Sequence, residues 1–458
     1  MLPDYIAKSS PNPSGNRAPW YANTAPSYAG VFLWIAFYIS LAQNTINHAS
    51  LGVCILALAV AGLLSYALFY YAPAMLGMKT GYPLYVVGSS TFGTLGGYVM
   101  PGLLMGLLQI GWFAVGTFFA TQFLLNGFHS DAKPGSITFV AIGIVWGYVM
   151  AFVGVKGIQY VAKVSLLLNA IPFLMILIVF FKTAPGISGY VPSDPNPLFA
   201  FTLILQIVIG FFATAGAAGA DFGMNSRNAS DVRWGGLVGI AGAILYAGGL
   251  PILSVAGARV LNPSVQSYSY NAVISSLGGV LATAMFFLFA LASIGPACFC
   301  AFIAGNSFST MIPGVKRMSS TMAGVTIAII LAVTGAAADL ISFFTIVGAS
   351  FGPICGAMTA DYLLSGKQWK GPREGINWAG YTAWAVGFVI GILPNLPVSA
   401  ELKSYDQPAV LWSFVAGFVI YAILAKLGLE PRTVPLEDAG VRAPLAGDSG
   451  TKRGSATA

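Results

Sequence analysis

Charge is nearly missing from this chain. Asp, Glu, Lys and Arg make up 8% of it, and hydrophobic residues 57%. A soluble domain carries about a quarter charged residues, so this chain is solvated mainly by lipid. Histidine is scarce too: His48 and His129 are the only two, too few and too scattered for a metal centre. The four cysteines, Cys54, Cys298, Cys300 and Cys355, fall inside apolar runs and read as small packing residues, not as a disulfide framework or metal cage. No HExxH, GxSxG or P-loop pattern occurs. A membrane hydrolase or an ATP-driven pump would lack its chemistry, so no enzyme activity is expected. Alternating ten-residue strands are absent as well, which argues against a barrel.

What is present is a succession of apolar runs of roughly 20 residues, each long enough to cross the hydrocarbon core as a helix. Twelve spans are expected, near 28–47, 50–72, 98–126, 136–154, 158–182, 198–219, 233–259, 278–304, 320–338, 340–364, 377–396 and 408–428. Residues 1–27 have no signal-peptide layout and, with their Pro, Ser and Asn content, suggest a cytoplasmic arm. Residues 429–458 mix Pro, Gly, Ala and both charge signs without periodicity, the composition of a disordered tail. With the N-terminus inside, 17 of the 21 Lys and Arg fall on inner segments; Lys133, Lys182, Arg259 and Lys403 are the outer ones. This positive-inside bias places both termini in the cytoplasm, in a plasma (inner) membrane. The net charge of +7 is thus topological, and nucleic-acid binding is not expected.

Polar groups inside lipid are costly, so those that persist either bond neighbouring helices or line a pathway. In LLQIGWFAVG, Gln109 and Trp112 stand three apart and share one face of a helix. Together they offer a flat aromatic surface beside a group that donates and accepts hydrogen bonds; the plainer reading is interhelical bonding and packing. FYISLAQNTINHAS concentrates Ser40, Gln43, Asn44, Thr45 and Asn47, which suggests either a span that breaks or one that ends in a polar outer loop. VIGFFATAGAAGADF is rich in Gly and Ala, which lowers helix propensity and admits close backbone approach. Spans 1 and 6 are where inverted-repeat transporters interrupt their helices around a central site. Asp221 and Asp361 fall near the inner span ends, with Arg227 and Lys367 as candidate partners. With almost no charge at mid-membrane, the site suits a neutral, planar, hydrogen-bonding solute.

GMKTGYPLYVVGSSTFG (77–93), LLQIGWFAVG (107–116), GFFATAGAAGADFGMNSRNASD (210–231) and SFGPICGAMTADYLL (350–364) resemble, in order and spacing, the nucleobase:cation symporter family. The likeness is to its purine/cytosine permease branch and runs from about residue 28 to 428. It implies an all-α polytopic protein of twelve transmembrane helices. A leucine-transporter-type five-plus-five inverted repeat would occupy 28–182 and 198–364, and two additional helices 377–428. It further implies alternating access, and a base sandwiched between Trp112 and Phe212 with Gln109 and Thr214 reading its edge; Gly216 is counted with them.

For ion binding or gating the candidates are Phe37, Ser40, Gln43, Asn44, Ser293, Gly295 and Pro296. The eighth helix departs from the family. Where cytosine permeases carry an Asn and a Thr pair, this chain has Ala292, Gly295 and Pro296, with Ser293 a substitute hydroxyl only on a shifted register. The coupling ion, Na+ or H+, therefore stays open. The expected partners are a nucleobase-like solute and the bilayer, with no obligatory protein partner. Two alternatives remain: a transporter of the same fold for another small neutral solute, and a transport-inactive membrane receptor.

Overall fold

The computed structural model describes residues 2–436. Within them the chain is helical, with no β-strand and two isolated bridges, Ala18 with Ser226 and Arg373 with Thr433. The longer helices, in chain order, are α1 (Thr24–Phe32), α2 (Ile35–His48), α3 (Leu51–Thr80), α4 (Gly96–Gly127), α5 (Ile137–Thr183) and α6 (Pro197–Ala217). They continue as α7 (Ala229–Leu261), α8 (Gly279–Met311), α9 (Arg317–Val333), α10 (Leu340–Leu364), α11 (Trp378–Ile392) and α12 (Ala409–Lys426). Several start at polar caps the sequence supplies. The side chains of Ser136, Asn196, Asn228, Asp339 and Asn377 each accept a hydrogen bond from a first-turn backbone N–H.

Among the described residues, eight helices are long and apolar enough to cross a membrane, or nine if the bent pair α1 and α2 is one span. The expected fourth and fifth spans lie in one 47-residue helical run, α5. The expected ninth and eleventh appear as α9 and α11, 17 and 15 residues long.

The first span does break, but ahead of its polar cluster. Leu33 and Trp34 separate α1 from α2, Trp34 has extended backbone (φ −69°, ψ 128°), and the two helices meet at 50°. No Gly or Pro causes this; tertiary packing does. The polar cluster stays helical and docks on the loop before α6 and on Tyr268 after α7 instead. Asn47 Oδ1 accepts from Tyr268 Oη at 2.7 Å, and the carbonyls of Asn47 and His48 accept from the N–H groups of Asp194 and Asn196. In the sixth span the interruption is slight: α6 ends at Ala217, and a short helix, Gly219–Gly223, follows. That short helix lies so close to α3 that a Cβ on Gly77 or Gly223 would collide with the Ala220 or Ala74 carbonyl.

The N-terminal arm is bound to the body of the protein. Leu2, Tyr5 and Ile6 are buried, Tyr5 Oη donates to the Thr94 carbonyl (2.8 Å), and Arg17 donates to the Met78 carbonyl (2.7 Å). Near its end, the Trp20 N–H donates to Asp231, which also accepts from Arg227 Nε at 2.8 Å. Arg227 thus pairs with Asp231, not with Asp221, whose carboxylate accepts from the Leu84 N–H. Replacing Asp231 by Asn should cost about 1–3 kcal/mol through the charged hydrogen bonds it holds. A lower melting temperature of the purified protein is the readout; an unchanged melt would mean that the arm is held by its other contacts alone. Of the tail, Glu430–Leu436 is packed in part against the loop after α10, where the Val434 N–H donates to the Pro372 carbonyl. The rest of the expected disordered tail, 437–458, lies outside the described residues.

Candidate solute site

At the bend between α1 and α2 the helices leave a cavity of about 560 Å³. Its deep part is lined by Trp34, Gln109, Trp112, Asn169, Phe211 and Thr214. From there it extends past Ser27 and Asp221 to Tyr85 and Phe222, which touch Tyr5 and Asn23 of the arm, and to Asn306, Ser307 and Thr310. The volume is in the range of small-molecule sites, and the lining is mostly apolar with a few polar groups. No charged side chain is among the residues named at the deep part; Asp221 stands nearer the arm.

The sequence pairing of Gln109 with Trp112 holds in space, because both project from one face of α4 into the same cavity. Trp112 is 5% exposed and boxed by other rings, with centroids at 4.8 Å (Phe343), 5.0 Å (Phe211), 5.7 Å (Phe344) and 5.7 Å (Trp34). Its Nε1–H donates to Thr214 Oγ1 at 3.3 Å, so the expected stacking ring and one of the expected edge-reading groups are already joined. Gln109 is less engaged. Its amide nitrogen makes a weak contact to Met105 Sδ at 3.6 Å, which leaves it able to accept and donate elsewhere.

Phe212 is placed otherwise than expected. It is fully buried, stacked on Phe32 (5.6 Å, 20° between planes) and tilted against Tyr28 (5.6 Å). The neighbouring Phe211 is the ring that lines the cavity. Consecutive residues on a helix point about 100° apart, so a choice between adjacent phenylalanines depends on how α6 is rotated, which the sequence does not display. Gly216 is also outside the cavity; a Cβ there would meet Phe69 at 2.7 Å.

The ion or gating candidates divide at the bend. Phe37, Ser40, Gln43 and Asn44 lie beyond it, outside the cavity lining. Phe37 packs between Phe32 and Phe211 (5.0 and 4.9 Å), and the Asn44 side-chain amide donates to the Ser40 carbonyl. Gln43 is exposed. Gly295 and Pro296 do line the cavity. A side chamber of about 10 Å³, roughly one water in size, is bounded by Leu33, Trp34, Asn169, Ala292, Ser293 and Pro296 among others. Ser293 Oγ donates its proton to the Phe289 carbonyl at 2.9 Å, which leaves its lone pairs free to accept. Two cavity residues, Trp34 and Asn169, were not foreseen. Trp34 sits at a bend that no Gly or Pro announces, and Asn169 is one amide in a long apolar run.

No family model matches the chain. Among curated proteins, the cytosine permeases of Escherichia coli O157:H7 and of Escherichia coli strain K12 are each 25% identical to it over 348 residues, 71% of this chain and 76% of theirs. Among solved structures it is similar to Mhp1, a nucleobase-cation-symport-1 family transporter. The closed conformation with bromovinylhydantoin bound superposes with a TM-score of 0.67 at 16% identity, covering 93% of this chain and 95% of that one. The inward-facing conformation gives 0.68, also at 16% identity, over 97% and 100%. A Na+-coupled sialic acid symporter in a substrate-bound outward-open state gives 0.59 at 13% identity, over 94% and 93%. The likeness to these structures establishes the fold.

Proposed function

We infer that this chain, a member of the nucleobase:cation symporter family, imports a neutral planar heterocycle by alternating access, coupled to a cation. The observation that carries the reading is one cavity holding Gln109 and Trp112 beside Phe211 and Thr214, with the charged group, Asp221, nearer the arm. A ring stacked on an aromatic side chain gains on the order of 1–3 kcal/mol whatever its substituents. An amide then discriminates among flat rings, because a wrong donor–acceptor pattern leaves it unpaired. The solute class is nucleobases and related hydantoins, with cytosine the first to test. That the cavity extends toward the arm suits a cytoplasm-facing state, with both termini inside.

We count twelve crossings in this architecture by taking α5 twice. Gly135, just before it, donates to the Val333 carbonyl at the end of α9, whereas Val155 accepts from Arg317 at the start of α9. Thr183, at its far end, lies against Gly257 near the end of α7. These contacts suit two crossings, with the reversal of the chain falling inside the run. The five-plus-five repeat and the sandwich of a base at Trp112 belong to the same reading. As it stands, Phe211 meets Trp112 edge to face, so a stacked base would require the two rings to part. The coupling ion is Na+ or H+. A second reading, another small neutral solute on the same fold, is favoured by the eighth helix, where Ala292, Gly295 and Pro296 present no side-chain hydrogen-bonding group.

Thermal stabilisation of the purified protein against a panel of nucleobases and hydantoins, with and without sodium, tests the function. A ligand bound to the folded state alone raises stability as ln(1 + [L]/Kd). At least one heterocycle should raise the melt, and none doing so would overturn the reading. In the same assay Gln109→Leu should widen the set of heterocycles bound or abolish binding, with a cost of about 1–3 kcal/mol for the preferred one. An unchanged profile would assign Gln109 to helix packing.

A further inference from the structure

Asn169 is the one polar residue between Ser165 and Lys182 on α5. Its side chain borders both the main cavity and the side chamber. It packs against the bare backbone of Gly30 in α1, where an added Cβ would lie 2.5 Å from Asn169 Nδ2. No side-chain hydrogen bond joins Asn169 to another described residue: along α5 such bonds are made by Tyr148, Ser165 and Thr183. Asn169 is half-buried, and its amide faces the cavity free to bond what enters there. Beside it is a second group of the same kind. Trp34 is 8% exposed, borders the same two spaces, and its Nε1–H is buried without a partner. On the eighth helix Ala292, Gly295 and Pro296 bring no side-chain donor or acceptor, and the Ser293 hydroxyl, its proton given to Phe289, can only accept.

We propose that Asn169 is a specificity-determining residue of the solute site: its carboxamide and the adjacent Trp34 indole N–H form a second hydrogen-bonding edge that takes an N–H/C=O edge of the solute, while Gln109 on α4 takes another. This rests on the reading of the cavity as the site of a neutral heterocycle, and it narrows the class. A carboxamide pairs through two hydrogen bonds with a cyclic amide, N–H to its oxygen and C=O to its nitrogen. The indole only donates, so it calls for a further carbonyl or ring nitrogen. A solute polar on two edges, such as a cyclic ureide or an oxo-pyrimidine, satisfies both amides. One with a single polar edge leaves Asn169 unpaired.

The test is the binding of cytosine, uracil and hydantoin to the full-length protein, together with uracil and hydantoin methylated at one ring nitrogen at a time. Methylation at either of two nitrogens should weaken wild-type binding about tenfold or more, since each blocks one edge. Asn169→Leu should weaken the parent compounds and remove the penalty at one nitrogen only. Gln109→Leu should remove the penalty at the other. Gly30→Ala, which pushes the Asn169 side chain from its seat without removing it, should reproduce the Asn169→Leu pattern, and it carries the test if that variant does not fold. If Asn169→Leu, or Gly30→Ala in its place, keeps every wild-type affinity and both penalties, the inference is overturned while the proposed function stands. A wild type that binds none of the panel overturns the function itself, and this inference with it.

Discussion

Trp112→Ala is expected to abolish saturable uptake in cells while the protein still reaches the membrane. Two losses combine. The stacking surface at the deep end of the cavity contributes on the order of 1–3 kcal/mol to a bound ring. Its removal also leaves a hole among Trp34, Phe211, Phe343 and Phe344, all within 5.7 Å of Trp112 by ring centroid. Emptying such a box costs about 3–5 kcal/mol of stability, so the alanine variant alone could fail by unfolding. Trp112→Phe separates the causes. It keeps a ring and most of the packing and loses the hydrogen bond to Thr214, so it should retain uptake with a raised half-saturation concentration. Undiminished transport by a folded Trp112→Ala protein would remove the stacking reading.

Arg373→Ala is expected to lose as much stability as Trp112→Ala does. Arg373 is 2% exposed and is paired with both Asp361 (3.1 Å) and Glu430 (2.7 Å). Asp361 is held in turn by the hydroxyls of Ser90 (2.6 Å) and Thr91 (3.0 Å), and Glu430 accepts from Tyr421 (2.7 Å). The cluster joins the end of α10, the segment beside the cavity residues Leu84 and Tyr85, and the tail after α12. Removing one member of a buried ion pair leaves its partner charged and unpaired, which costs about 3–5 kcal/mol. The melting temperature in detergent should therefore fall much further than for Asp231→Asn. A fall no larger than that would mean that water reaches Asp361 and Glu430 when the arginine is gone. The sequence offers Lys367 as the partner of Asp361, six residues along; the partner is Arg373, which comes back to Asp361 because the loop folds onto Ser89 and Phe92.

The sequence by itself determined whatever depends on composition or on spacing along one helix. Scarce charge and recurrent apolar runs made this an all-helical membrane protein, since lipid leaves the backbone no other partner than itself. Gln109 and Trp112 were legible as a pair because three residues along a helix keep two side chains on one face in any packing. Only the tertiary structure decided what depends on how helices are rotated and set against each other. It put Phe211 into the cavity and Phe212 against Phe32, and it broke the first span at Trp34, where no Gly or Pro marks a break. It also brought Asn169 of α5 against Gly30 of α1, residues far apart in the chain. Helix rotation and bending are set by the sum of many small packing contacts between distant segments, and no local pattern in the chain records that sum.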